Sequence, residues 1–125
     1  MSKVLIADDS FLARQLFIKV LKGKGYEIIE AINGQDAMEK ILTQSPDCLL
    51  LDLLMPEMDG FAVLKALQEE NLSIPVIVVS ADIQETTRVK CHELGAVGFL
   101  NKPIKDDGIL SAIQKAIALK GGSDR

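Results

Sequence analysis

Residues 48–60 read Cys48-Leu49-Leu50-Leu51-Asp52-Leu53-Leu54-Met55-Pro56-Glu57-Met58-Asp59-Gly60. The run from Cys48 to Leu51 has no polar alternation, so both of its sides need apolar cover. That is the pattern of a strand in a parallel sheet with helices on both faces. The run ends in a carboxylate, passes through a turn, and restarts at Asp59-Gly60 as a helical segment using Val63, Leu64 and Leu67.

The same unit recurs on either side. Val4-Leu5-Ile6-Ala7 and Val76-Ile77-Val78-Val79 are also apolar throughout, and Gly98-Phe99-Leu100 is a shorter fifth run. Glu27-Ile28-Ile29-Glu30-Ala31 alternates and carries glutamates, which places it nearer an edge. The first intervening segment has a stripe of Ala13, Leu16, Phe17, Val20 and Leu21, with Arg14, Gln15, Lys19 and Lys22 expected to face away. It stops at Gly23 and Gly25, which suit a helix C-terminus. The second segment starts from the cap Asn33-Gly34 and uses Ala37, Met38, Ile41 and Leu42. The fourth carries Val89 and Leu94 and ends at Gly95. The fifth begins near Asp106 or Asp107 and uses Ile109, Ile113, Ala116 and Ile117. The predicted fold is α/β: a (βα)5, doubly wound, five-stranded parallel sheet with right-handed crossovers.

Composition narrows the function classes. The 125 residues fit one domain, and a net charge of −4 argues against a chain-wide affinity for nucleic acid. The first apolar run breaks at Asp8-Asp9, too soon for a signal peptide or a membrane span, so a soluble, cytoplasmic protein is expected. The two cysteines, Cys48 and Cys91, lack partners at metal-ligand spacing and read as reduced thiols.

The polar residues stand at strand ends. The first strand ends in Asp8-Asp9, the third in Asp52 and the fourth in Ser80-Ala81; Lys102-Pro103 follows the fifth. In a parallel sheet these ends share one edge, where open sheets of this kind bind ligands. Three carboxylates at close range repel one another, and a hard divalent cation with oxygen ligands relieves that repulsion. Mg²⁺ fits, because it accepts one or two carboxylates and keeps several waters. Lys102 supplies a point charge for a phosphoryl oxygen, and Ser80 supplies a hydroxyl donor. A carboxylate nucleophile forming an aspartyl phosphate is established chemistry. Singly, each aspartate also fits a turn or cap, and Phe99 fits a core aromatic.

The set Asp8-Asp9-Ser10, Asp52 with Met55-Pro56-Glu57-Met58-Asp59-Gly60, Ser80-Ala81 and Lys102-Pro103 resembles the bacterial response-regulator receiver domain in its stand-alone, chemotaxis-type form. The resemblance covers Lys3 to about Leu119, giving a receiver domain over residues 1–120 and a frayed tail over 121–125. It implies the flavodoxin-like strand order 2-1-3-4-5. It also implies Asp52 as phosphoacceptor from a histidine kinase or histidine-phosphotransfer protein. Mg²⁺ would be held by Asp8, Asp9, Asp52 and the backbone carbonyl of Leu54, with Asp8 acting mostly through water. Lys102 would pair with the phosphoryl group, and its bond to Pro103 would be cis. Ser80 and Phe99 would form the switch that alters the surface of the fourth helix, fifth strand and fifth helix toward a downstream protein. Such a protein is a phosphoacceptor with at most self-phosphorylation and self-dephosphorylation activity, monomeric or dimerising on phosphorylation.

Three departures stand out. Phe99 lacks the hydroxyl of the tyrosine found in the chemotaxis form. Leu54 replaces a common polar residue, and Arg88 and His92 replace apolar ones on the fourth helix. Phe11, Leu12 and Ile18 lie off the core stripe of the first helix and form an expected docking face for a histidine-phosphotransfer partner. Two other classes compete. A haloacid dehalogenase-like phosphatase would carry Asp-x-Asp on its first strand, and a flavodoxin-like redox module would need a loop rich in Ser, Thr and Gly after it. The chain begins with Met and stops soon after the fifth helix, which suits a single-domain regulator, while Gly121-Gly122 suits the start of a linker in a larger one.

Overall fold

Every apolar run is a strand and every periodic segment a helix. The structure, a computed structural model, describes residues 2–123. In chain order these form β1 (Ser2–Ala7), α1 (Phe11–Leu21), β2 (Tyr26–Ala31), α2 (Gly34–Gln44), β3 (Cys48–Asp52), α3 (Gly60–Glu69), β4 (Val76–Ser80), α4 (Glu85–Glu93), β5 (Gly98–Asn101) and α5 (Asp106–Ser123). The strands make one parallel sheet in the order β2-β1-β3-β4-β5, the expected order, with the glutamate-bearing β2 at an edge. Helix α5 runs through Ser123, and Asp124 and Arg125 of the expected frayed tail lie outside the described residues.

Alternation along the strands divides the core in two. Leu5, Ala7, Leu49, Leu51, Val76 and Val78 point to the side covered by α2, α3 and α4, where they meet Ala37, Ile41, Val63, Leu64, Leu67 and Cys91. Val4, Ile6, Cys48, Leu50, Ile77 and Val79 point to the side covered by α1 and α5, against Phe17, Leu21, Ile109, Ile113 and Ala116. This two-sided burial is why β1, β3 and β4 read as continuous apolar runs.

Helix ends follow local chemistry. Ser10, Asn33 and Asp59 each cap a helix by accepting a backbone N–H, from Ala13, Asp36 and Ala62 respectively. Gly95 closes α4 at φ +100°, a left-handed conformation that a Cβ would strain.

The α1 stripe needs correction. Its buried face is Arg14, Phe17 and Leu21, at spacings of three and four, while Leu16 is exposed. Arg14 is drawn inward because the buried Asp8 carbonyl and the Glu30 carboxylate receive its guanidinium. Leu42 and Val89 are likewise exposed rather than core residues.

Two glycines on helices should respond in opposite directions to alanine. A Cβ at Gly60 would lie 2.6 Å from the Asp52 carbonyl oxygen and 2.8 Å from Leu53 Cα, both backbone atoms, whereas one at Gly108 meets nothing within 4 Å. Gly60→Ala should cost about 1–3 kcal/mol of stability by overpacking. Gly108→Ala should add about 0.5–1 kcal/mol through helix propensity and a less disordered unfolded chain. Urea unfolding of both variants checks this, and a neutral Gly60→Ala would show that the β3–α3 turn yields freely.

Candidate functional site

Strand register assembles the site. Ala31, Ala7, Leu51, Val78 and Phe99 form one row across the sheet. One residue beyond that row stand Asp8 and Asp52, two beyond stand Asp9, Ser80 and Asn101, and Lys102 follows Asn101. The row therefore brings every polar strand-end residue to one edge. By alternation Ser80, Phe99 and Asn101 lie on the α4 side of the sheet.

Asp8 is almost wholly buried, and both of its carboxylate oxygens are engaged. Oδ1 accepts the Ser10 N–H at 2.9 Å, and Oδ2 accepts from Lys102 Nζ at 3.3 Å. Its backbone is held too: the Asp8 N–H donates to the Ala31 carbonyl at 3.1 Å, and Arg14 Nη1 donates to the Asp8 carbonyl at 2.7 Å. Arg14 is oriented in turn by Glu30 on β2, whose Oε1 lies 2.9 Å from Nε. Arg14 thus supports the Asp8-Asp9 turn from below, a role that charge-based sequence reading missed. The face 14, 17, 21 was the available signal, because an arginine heading a buried spacing needs a buried partner.

Asp52 is buried beside Asp8, with Lys102 Nζ 3.8 Å from its Oδ1 and the Leu54 N–H donating to that oxygen at 3.4 Å. Burial pushes its carboxyl up to about 6, Asp8 adds to the rise, and Lys102 only partly opposes it. The carboxylate oxygens of Asp8, Asp9 and Asp52 lie within 4.8 Å of one another, and Asp9 is exposed. An all-oxygen donor set around an under-compensated buried carboxylate fits a hard divalent cation such as Mg²⁺. The Leu54 side chain stands 79 % exposed beside this pocket.

Ser80 is buried, and its hydroxyl oxygen accepts the Asp82 N–H at 3.0 Å. Asp82 in turn accepts from the Gln84 N–H at 2.9 Å and from the Thr87 hydroxyl at 2.6 Å, so it ties the loop to the first turn of α4, whose N-cap residue Gln84 makes no side-chain cap bond. Asn101 reaches across from β5 to the carbonyls of Asp82 and Ser80. Neither Asp82 nor Asn101 stands out from sequence: Asp82 makes short-range loop bonds that many aspartates make, and the Asn101 bonds join segments distant along the chain. Phe99 is half-buried against the α3–α4 core, with the Arg88 guanidinium 5.8 Å from its ring centroid. The Lys102–Pro103 peptide bond is cis.

Of the expected docking residues, Phe11 and Leu12 are exposed, but Ile18 packs partly buried against the α1–α5 core, because it sits one position from Phe17 on the inner face. Leu16 stands in the exposed set instead. Both cysteines are free and buried; burial pushes the Cys48 thiol up to about 12, which keeps it protonated and unreactive. No helix among the described residues is long and apolar enough to cross a membrane.

Comparison with known proteins agrees with this geometry. Residues 4–114 match the model of the response regulator receiver domain. The chain is 35 % identical to the chemotaxis protein CheY of Bacillus subtilis (strain 168) over 116 residues, 92 % of this chain and 97 % of that protein. It is 42 % identical over 105 residues, 81 % of its length, to the protein-glutamate methylesterase/protein-glutamine glutaminase of Treponema denticola, of which it spans only 28 %. The receiver domain of the Francisella response regulator 1452 superposes with a TM-score of 0.91 at 28 % identity, covering 96 % of this chain and 99 % of that one.

The raised Asp52 carboxyl has a consequence for stability. Its folded-state pKa of about 6 lies above the ordinary 3.8, so between those values the folded chain binds more protons than the unfolded one. Stability therefore falls as pH rises through that window, and the loss is complete above it. In EDTA at pH 7.5, Asp52→Asn should raise Tm by a few degrees, on the order of 5 °C. The gain should shrink toward pH 4. Excess Mg²⁺ should narrow the gap by stabilising the parent. Scanning calorimetry at both pH values checks this; a gain that is the same at pH 4 would assign it to packing rather than charge.

Proposed function

The chain belongs to the response regulator receiver family of two-component signalling, and we propose that Asp52 is its phosphoacceptor. Receiver domains are phosphoacceptor switches rather than turnover enzymes; they bind Mg²⁺ at an acidic pocket and link a kinase to a downstream effector. The observation that carries the Asp52 assignment is a buried, under-compensated carboxylate at the sheet edge, with Lys102 3.8 Å away and two further aspartates in reach.

The receiver unit is taken as residues 1–120. Asp52 attacks the phosphorus of a phosphohistidine on a histidine kinase or phosphotransfer protein: a P–O bond forms, the P–N bond breaks, and the imidazole leaves. Asp8, Asp9, Asp52 and the Leu54 carbonyl would hold Mg²⁺, which when bound offsets charge on the phosphoryl oxygens. Lys102 neutralises a phosphoryl oxygen from the β5 side. Ser80 donates its hydroxyl to another, and Phe99 turns into the space behind it. The surface of α4, β5 and α5 thereby changes for a downstream protein. Leu54 limits water access to the phosphoryl group and so sets its lifetime. Small donors such as acetyl phosphate serve in self-phosphorylation, and hydrolysis resets the switch. Phe11 and Leu12, with Leu16, are the proposed contact for the phosphodonor protein on α1.

The match to CheY along 97 % of that protein favours a role in chemotaxis, as a cytoplasmic monomer without nucleic-acid contacts. The partial span of the Treponema relative supports a second context, a receiver within a larger regulator.

Incubation with acetyl phosphate and Mg²⁺ should add one phosphoryl group by intact mass, and Asp52→Asn should add none; full phosphorylation of the variant would overturn the assignment. Asp9→Ala should weaken Mg²⁺ binding about tenfold or more, since even residues behind a metal ligand cost that much. Amide shifts near Asp9 and Asp52 during titration report it. Ser80→Ala should leave Asp52 reactive but abolish the change in hydrogen exchange across residues 82–105 on adding beryllofluoride. A full response in that variant would remove Ser80 from the coupling.

A further inference from the structure

We propose that Asn101 is a positioning residue that clamps the β4–α4 loop in the arrangement preceding phosphorylation and so sets how readily Ser80 is released. This deepens the phosphoacceptor reading of Asp52 and rests on it.

The argument begins with a residue in the wrong place for its type. Asparagine is disfavoured in strands, yet Asn101 is the last residue of β5 and pairs in register with Ser80. Such a local mismatch needs a compensating role. Its side-chain amide supplies two N–H donors. Nδ2 lies 3.0 Å from the Asp82 carbonyl oxygen and, at a longer 3.5 Å, from the Ser80 carbonyl oxygen. The Lys102 N–H also donates to the Ser80 carbonyl, at 2.8 Å. The end of β5 therefore grips both ends of the short segment Ser80-Ala81-Asp82.

That segment carries the bond that occupies Ser80. The Asp82 N–H donates to the Ser80 hydroxyl oxygen at 3.0 Å, and Asp82 is also fixed to the start of α4 through Gln84 and Thr87. The bond holds the Ser80 side chain on the loop side, and a turn of that side chain toward a phosphoryl group on Asp52 would carry it away from the Asp82 N–H and open the turn. Asn101 resists that opening from the strand two residues beyond Phe99, on the same side of the sheet. Removing its donors raises the energy of the closed arrangement alone, so the population shifts toward the open one.

Asn101→Val is the test, because Asn101 is exposed and valine suits a strand, so the fold is kept. A merely structural loss would weaken ligand binding; loss of a clamp strengthens it. A net hydrogen bond at an exposed site corresponds to about a 2–5-fold change. In the unliganded variant, amide exchange at Asp82 and Gln84 should therefore speed up by about 2–5-fold, with α1 unchanged. The apparent Kd for beryllofluoride, titrated in excess Mg²⁺, should fall by a similar factor. Unchanged exchange at Asp82 and Gln84 would show that no clamp exists. Faster exchange with unchanged or weaker beryllofluoride binding would show a local contact uncoupled from the switch. Failure of the parent itself to bind beryllofluoride would instead overturn the phosphoacceptor reading, and the proposed role of Asn101 with it.

Discussion

A parallel sheet delivers the carboxyl ends of all its strands to one edge, and here that edge concentrates negative charge. Asp8 and Asp52 sit one residue past a common row, both buried, with Lys102 as the cation between them. Desolvation and mutual repulsion leave Asp52 under-compensated. A solvated cluster would relax by spreading apart. This one is held by the strand ladders, by Arg14 on the Asp8 carbonyl and by Ser10 on the Asp8 carboxylate. The reactivity proposed for Asp52 follows from a scaffold that prevents its charges from separating.

The two faces of the sheet divide the work. Asp8, Asp52 and Lys102 gather the charge, while Ser80, Phe99 and Asn101 line up along the side covered by α4. That helix is the least anchored of the set. Cys91 is its sole buried residue among those described, and its N-cap Gln84 makes no side-chain cap bond, the first turn being tied to Asp82 only through the Thr87 hydroxyl and the Gln84 N–H. An element with few buried contacts sits at the low end of local stability, where small changes at its base alter its position. Its one buried contact to the core is Cys91, and Arg88 lies over the Phe99 ring.

Much of this was legible in the sequence because the signals were short-range or two-sided. Runs such as Leu49-Leu50-Leu51, short and bounded by polar residues, read as strands buried on both faces, and Asn33 and Asp59 announce helix starts through bonds three residues long. The edge position of β2 followed from Glu27 and Glu30. The aspartates and Lys102 could be placed together because strand ends have fixed positions in such a sheet. What escaped were features decided by distant partners. Arg14 turned inward because Glu30 and the Asp8 carbonyl receive it, and Leu16 was displaced to the outer face as a result. Ile18 packed inward beside Phe17. Asn101 carries no signal in the sequence, since the carbonyls it reaches lie about twenty positions earlier.

The outermost strands carry a consequence of their own. A sheet with two open sides exposes unpaired N–H and C=O groups that could recruit another sheet. On β2 the exposed Glu27 places charge along the border, where a second copy of the same strand would set like carboxylates together, while Glu30 is taken up by Arg14. On β5 the defence is brevity: only four residues pair, and after Lys102 comes Pro103, which has no N–H to extend the ladder. Fusion into continuous, fibre-like ribbons is therefore opposed at both borders.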